Sequence, residues 1–205
     1  FKLHSQYSIC EGAIKIEALE KFCKNKKINT IGISDISNLC GVLQFSETVS
    51  KSKTQPIIGS QIKFKYKDLI GLIPLIAKNE QGYKNIVTLS SNSYLKHAKF
   101  NEPFCEFKDL DKYKDGLIIT LGGLNSIVGD LFKKDKLDNI KEIYIHLSRL
   151  LGDNFYIEIQ RHDDDNEKSL EIFNLNLSKE LEIPIIASHE VYYLDKDIYE
   201  AHDAL

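Results

Sequence analysis

The sequence predicts an α/β fold built on a largely parallel sheet. Two observations carry this. Short β-rich runs alternate with stripes of helical spacing along the chain. Polar or ionisable residues also recur at or near the C-terminal ends of the predicted strands. The 205 residues are 42% hydrophobic and 28% charged, enough for a core that needs no disulfide or metal.

The elements follow in order. A first strand closes at His4. Ile16, Leu19 and Cys23, with Ala18 and Phe22 beside them, predict a helix over 15–25. Residues 28–34 ("INTIGIS") are β-rich, and Val42, Phe45 and Val49 form the next helical stripe. "PIIGSQIKFKY" (56–66) and "LIGLIPLIA" (69–77) read as strands joined by a Lys-Asp turn. Tyr83, Ile86, Val87 and Ser90 predict a helix after Gly82. "GLIITLGG" (116–123) reads as a buried strand, followed by a short helix through Ile127, Val128, Leu131 and Phe132. Ile140, Ile143, Leu147 and Leu150 form the strongest helical stripe. "FYIEIQ" (155–160) alternates as a strand does. Leu170, Phe173, Leu177 and Leu181 predict the last clear helix, and "IPIIAS" (183–188) the last strand.

Charge and composition exclude several classes. The net charge of −3 gives no global basic field for nucleic acid. Of 27 basic residues only Arg149 and Arg161 are arginine, so base readout through bidentate forks is poorly served. Cys10, Cys23, Cys40 and Cys105 have no C-x-x-C spacing, which argues against a zinc knuckle or a disulfide framework. Their apolar and turn neighbours predict buried free thiols. No apolar run is long enough to span a bilayer and no signal peptide is visible, so a cytoplasmic location without membrane contact is the expectation. Phe1 lies inside a strand-like run and the chain stops in the first turns of a helix. It reads as one domain over 1–205, cut from a longer protein.

Polar residues mark the strand ends: His4, Asp35 after "IGIS", Gln61 in "PIIGSQ", His162 after "FYIEIQ", and His189 and Glu190 after "PIIAS". In β/α barrels that rim carries the site. The acidic run 162–167 ("HDDDNE") reads as a loop and helix N-terminus, where negative charge suits the helix dipole. His97 in a Lys-rich loop and His146 on a helix read as surface residues, and His202 as a helix N-terminal residue. Tyr7 and Ser8 read as turn formers, since no Ser-His-Asp arrangement is legible.

Five stretches go further. "LHSQYSICEG" (3–12), "ISDISNLCGVLQF" (33–45), "PIIGSQIKF" (56–64), "LIAKNEQGYKNIVTLSS" (75–91) and "IIASHEVYYLDKDIYEAHDAL" (185–205) together closely resemble the PHP (polymerase and histidinol phosphatase) domain at the N-terminus of the bacterial replicative DNA polymerase III alpha subunit. The resemblance implies a distorted (βα)7-type barrel, whose active members hold up to three metal ions among histidines and acids at the strand ends. Such a cluster would activate water and neutralise charge on a phosphoester, and it needs bridging carboxylates and neutral imidazoles.

Carried over by position, the ligand pattern is broken. His-x-His is Lys2-Leu3-His4. The following acid is Glu11. Asp-His is Asp35-Ile36, Gly-x-Glu is Gly59-Ser60-Gln61, and the histidine of the fourth strand is Leu72. Gly-Cys is Gly122-Gly123, and Asp-x-His is Glu190-Val191-Tyr192. His4, Glu11, His162 and Glu190 remain able to ligate; Lys2, Ile36, Gln61, Leu72, Gly123 and Tyr192 cannot fill the roles they replace. A lysine ammonium ~4 Å from a cation costs ~4 kcal/mol per unit charge at an effective dielectric near 20.

The resemblance therefore implies a non-catalytic PHP domain with no cofactor of its own, in a parent DNA-directed DNA polymerase (a nucleotidyltransferase of DNA replication). Its expected partners are the rest of the alpha chain and the proofreading exonuclease subunit, with DNA met only through the assembled holoenzyme. The alternative is a residual zinc- or manganese-dependent 3′–5′ exonuclease or phosphoesterase, and a third reading is a stand-alone phosphatase or regulatory binding domain.

Overall fold

The computed structural model describes residues 1–96, 102–164 and 166–199. His97 and His202 lie outside the described residues. The chain forms two compact units: Phe1–Gln61 with the described residues from Glu190 on, and Ile62–His189.

In the first unit, β1 (Lys2–Leu3), β2 (Thr30–Ile36), the Gln55–Gln61 part of β3 (Gln55–Tyr66) and β9 (Glu190–Val191) run parallel in the order β9-β1-β2-β3. Helices α1 (Leu19–Lys26) and α2 (Val42–Ser50) complete it. α1 ends where Lys27 turns left-handed, at φ 53°, and its N–H caps the carbonyls of Cys23 and Lys24. Leu3, Ile16, Leu19, Ile33, Phe45 and Val49 close the core, as the stripes predict.

In the second unit the order is β8-β7-β6-β4, from β4 (Leu69–Ala77), β6 (Leu117–Leu121), β7 (Phe155–Ile159) and β8 (Ile185–Ala187). β6, β7 and β8 are parallel and β4 lies antiparallel to β6. α3 (Glu80–Leu95), α5 (Ile127–Lys133), α6 (Leu137–Leu151) and α7 (Glu167–Leu181) match predicted stripes. A short strand, β5 (Cys105–Glu106), and α4 (Phe107–Lys112) were not predicted; a reciprocal capping box between Glu106 and Asp109 starts α4.

Three expectations are corrected. α3 begins at Glu80, because Asn79 caps it by accepting from Gly82 N–H. Its buried face is Gly82, Asn85, Ile86, Leu89 and Ser93, leaving Tyr83 and Val87 exposed. Gly82 is required there: a Cβ would lie 1.8 Å from the Gly116 carbonyl oxygen. Gln61 does not end its strand, since β3 runs on to Tyr66; it is level with the last residue of β2 in the Ile36↔Gln61 register. Only Cys23 and Cys105 are buried, whereas Cys10 and Cys40 are exposed on loops.

That split sets a reactivity expectation. Burial pushes the Cys105 thiol up to about 12 and raises Cys23 too. The thiolate is the nucleophile, so a disulfide reagent should modify two thiols of the native protein quickly and the other two only on unfolding. Four equally fast thiols would contradict the packing.

Candidate functional site

The first unit brings together five of the residues singled out by position. Strand alternation turns Leu3 to the core and puts Lys2 and His4 on the opposite face. The register pairs Lys2 with Glu190 on β9. Lys2, His4, Gln61 and Glu190 are all buried.

Glu190 is the hub. Lys2 Nζ stands 3.4 Å from its Oε1, and Gln61 Nε2 lies 3.5 Å from the same oxygen. His4 Nε2 stands 3.4 Å from Oε2, which also accepts from the Tyr192 hydroxyl. The Tyr192 ring stacks on His4 with centroids 4.4 Å apart. Burial alone would raise the Glu190 carboxyl. The His4 contact, the Lys2 charge and the Tyr192 hydroxyl outweigh it and hold the group well below the usual carboxylate range.

Behind His4 sits a second buried carboxylate. Asp35 accepts from Ser5 N–H at 2.7 Å, Ser5 Oγ at 2.6 Å and Ser8 Oγ at 2.7 Å. With its proton committed to Asp35, the Ser8 hydroxyl accepts from Ile36 N–H at 3.2 Å and from His4 Nδ1–H at 3.3 Å. The other ring nitrogen, Nε2, faces Gln61 (3.2 Å) and Glu190. Ser5 and Ser8 went unrecognised in the sequence as a cradle for Asp35. Ser8, read with Tyr7 as a turn former, does sit in a turn: its N–H donates to Ser5 O, and Gly12 N–H to Ser8 O.

The depressed Glu190 carboxyl fixes a pH dependence. Its stabilisation is complete above the ordinary glutamate range, near ~4.3, and drains away as pH falls below that toward the folded value. Urea midpoints followed from neutral pH into acid should fall more steeply for the parent chain than for Glu190→Gln. Parallel curves would refute the assignment.

The PHP domain family matches residues 1–162. The chain belongs to this family. It is 35% identical over its whole length to DNA polymerase III subunit alpha of Rickettsia felis, 36% to that of Rickettsia prowazekii and 32% to that of Caulobacter vibrioides. The chain spans only 17–18% of the length of these relatives. Among solved structures, a protein of Bifidobacterium adolescentis named as a candidate metal-dependent phosphoesterase is similar with a TM-score of 0.59 at 10% identity, covering 99% of this chain and 94% of that one. An amidohydrolase of Chromobacterium violaceum is similar with a TM-score of 0.62 at 8% identity, covering 99% and 95%. Both likenesses concern the fold, and they bear out the predicted α/β, PHP-type class.

The other positions of this PHP domain fall differently. Ile36 is half-buried and meets the cluster through its backbone. Glu11 is exposed. Leu72, Gly123 and His162 belong to the second unit. Leu72 is half-buried on β4. Gly123 packs so tightly that a Cβ would lie 2.4 Å from Gln160 Oε1. His162 Nδ1 lies 2.7 Å from Glu167 Oε1, and its ring stacks on His189 at 4.1 Å. His146 is a surface residue, as predicted, bonded to Asp111 at 2.8 Å. Among the described residues, no three His, Cys, Asp or Glu side chains are grouped so as to hold a metal ion. No described helix is long and apolar enough to cross a membrane.

Proposed function

We propose that this chain is the PHP domain of a bacterial replicative DNA polymerase alpha subunit, and that its rim is a packed scaffold with no phosphoesterase centre. The polymerase reading rests on alpha subunits aligning with the entire chain. The scaffold reading rests on one observation: the Lys2 ammonium stands 3.4 Å from the buried Glu190 carboxylate.

The donor set around Glu190 does not fit a divalent cation. Of the groups that face it, Lys2 presents an ammonium, Gln61 an amide N–H₂ and Tyr192 a donating hydroxyl, and His4 Nε2 could ligate only by giving up its contact with Glu190. The Tyr192 ring covers one face of His4. A metal brought here would meet the Lys2 charge and displace contacts that already neutralise Glu190.

In this reading the domain braces the polymerase chain and docks the proofreading exonuclease subunit, while the polymerase activity resides elsewhere in the parent. DNA contact by the domain alone is weak, with a Kd of ~10⁻⁴ to 10⁻⁶ M or weaker at physiological salt. We further propose that both compact units unfold as one domain, because β3 contributes residues to each. A single transition, coincident by two spectroscopic probes, is expected; two transitions would refute it.

The functional test is an assay of the purified chain on a 3′-labelled oligonucleotide and on a chromogenic phosphodiester, with zinc or manganese. No turnover above the Glu190→Gln variant is expected. Metal-dependent turnover abolished by Glu190→Gln would overturn the scaffold reading.

A further inference from the structure

A groove follows α1 on the first unit, and Lys2 and Val191 of the paired strands β1 and β9 are among the residues that line it. Its wider part has a volume of about 360 Å³ and is lined by Phe1, Phe22, Ile31, Gly32, Tyr193 and Leu194, with others. A second part of about 320 Å³ shares Phe22 and Leu194 and ends at Lys21, Lys26 and Asp195. The shared residues make it one furrow, apolar at one end and basic at the other. Each part lies within the range of sites that accept several side chains.

The apolar end is open. Phe1 is 58% exposed and Val191 36%. Ile28, Ile31 and Leu194 line it while packing on the core behind, so the floor is rigid. Gly32 lets the chain at Phe1 lie flat on β2, since a Cβ there would come 2.9 Å from the Phe1 Cα.

The basic end is more charged than the chain as a whole. Lys21 and Lys26 line it and are exposed. This pair of lysines stands in a chain of net charge −3. Asp195 is the acid at the groove itself.

We propose that this groove docks a peptide segment of a partner protein, apolar at its centre and acidic on the flank that meets Lys21 and Lys26. Apolar side chains would fill the Phe22–Leu194 floor, and carboxylates would answer the lysines. A nucleic acid would use the lysines but leave the aromatic floor uncovered, and no arginine lines the groove. The inference does not require the polymerase reading, because it rests on the groove's own lining.

The probe is a short fluorescein-labelled peptide with leucine and phenylalanine at its centre and glutamates at one end, titrated with the full chain. Micromolar binding that weakens with salt is expected. Lys21→Glu with Lys26→Glu, both exposed, should weaken it about tenfold and transfer the preference to a lysine-ended peptide. Phe22→Ala should weaken it by a similar factor. Four results would overturn the proposal. One is no binding. Another is equal binding of a peptide whose apolar centre is serine, or displacement by duplex DNA at equal phosphate, which would mean a plain polyanion patch. A third is binding that appears only when the chain is ended after Tyr199, which would mean its own later residues fill the groove. The last is self-association abolished by the lysine reversals, which would mean a second copy does.

Discussion

Lys2→Met is expected to lower unfolding stability by about 3 kcal/mol or more, because it keeps the stem but leaves the Glu190 carboxylate buried without its cation. In a chain of this size that shifts the melting temperature by roughly 10 °C. The hydrogen bonds from Tyr192 and Gln61 remain in the variant, so the loss isolates the charge. Glu190→Gln in the same background should recover much of it, because no buried charge is then left uncompensated. The double-mutant cycle should give a coupling above ~1 kcal/mol. Additive losses, or a Lys2→Met effect within ~0.5 kcal/mol, would mean that Lys2 does not neutralise Glu190.

Asp35→Ala is expected to cost about 3–5 kcal/mol. Asp35 accepts three buried hydrogen bonds, and charge-assisted bonds contribute ~1.5–3 kcal/mol each, with overlap among them. Its removal orphans Ser5 N–H and both hydroxyls. It also frees Ser8, which holds His4 Nδ1. Asp35→Asn keeps one acceptor but points an amide N–H₂ at the remaining donors, so it should recover only part of the loss. Urea denaturation decides this: an Asp35→Ala midpoint shift equivalent to under ~1 kcal/mol would refute the cradle.

Much of this fold was legible because the helical stripes and β-rich runs are long enough to show their period. Ile140, Ile143 and Leu147 are buried on α6, and Phe155 and Ile157 on β7, as their spacing indicated. β5 and β9, of two residues each, are too short to show any period. The capping box of α4 uses Glu106 and Asp109 in place of the usual Ser/Thr and Glu/Gln, so it carried no readable signal in the sequence. α3 was misjudged by face, because Asn85 and Ser93 are buried there and hydrophobicity alone does not mark them. The Asn85 amide is held by the Asp115 carbonyl at 2.8 Å.

At the candidate site, the family pattern located Lys2, His4, Gln61, Glu190 and Tyr192, and the parallel register of β1 and β9 supplies their meeting. The serine cradle was not legible. Ser5 and Ser8 look like ordinary turn residues until β2 brings Asp35 within reach, and that contact spans 27–30 residues of sequence. Periodicity carries no information about such pairs.

The central claim is that Lys2, Gln61 and Tyr192 have taken over the space and charge of a metal centre. The most direct test is a melting curve of chelator-treated protein, alone and with zinc or manganese. A specific ion at about 100 times its dissociation constant stabilises by ~2.7 kcal/mol. The account predicts no shift with either ion, and no change when chelator is added to untreated protein. A shift of several degrees, lost in His4→Ala, would show that His4 and Glu190 still bind metal and would contradict it.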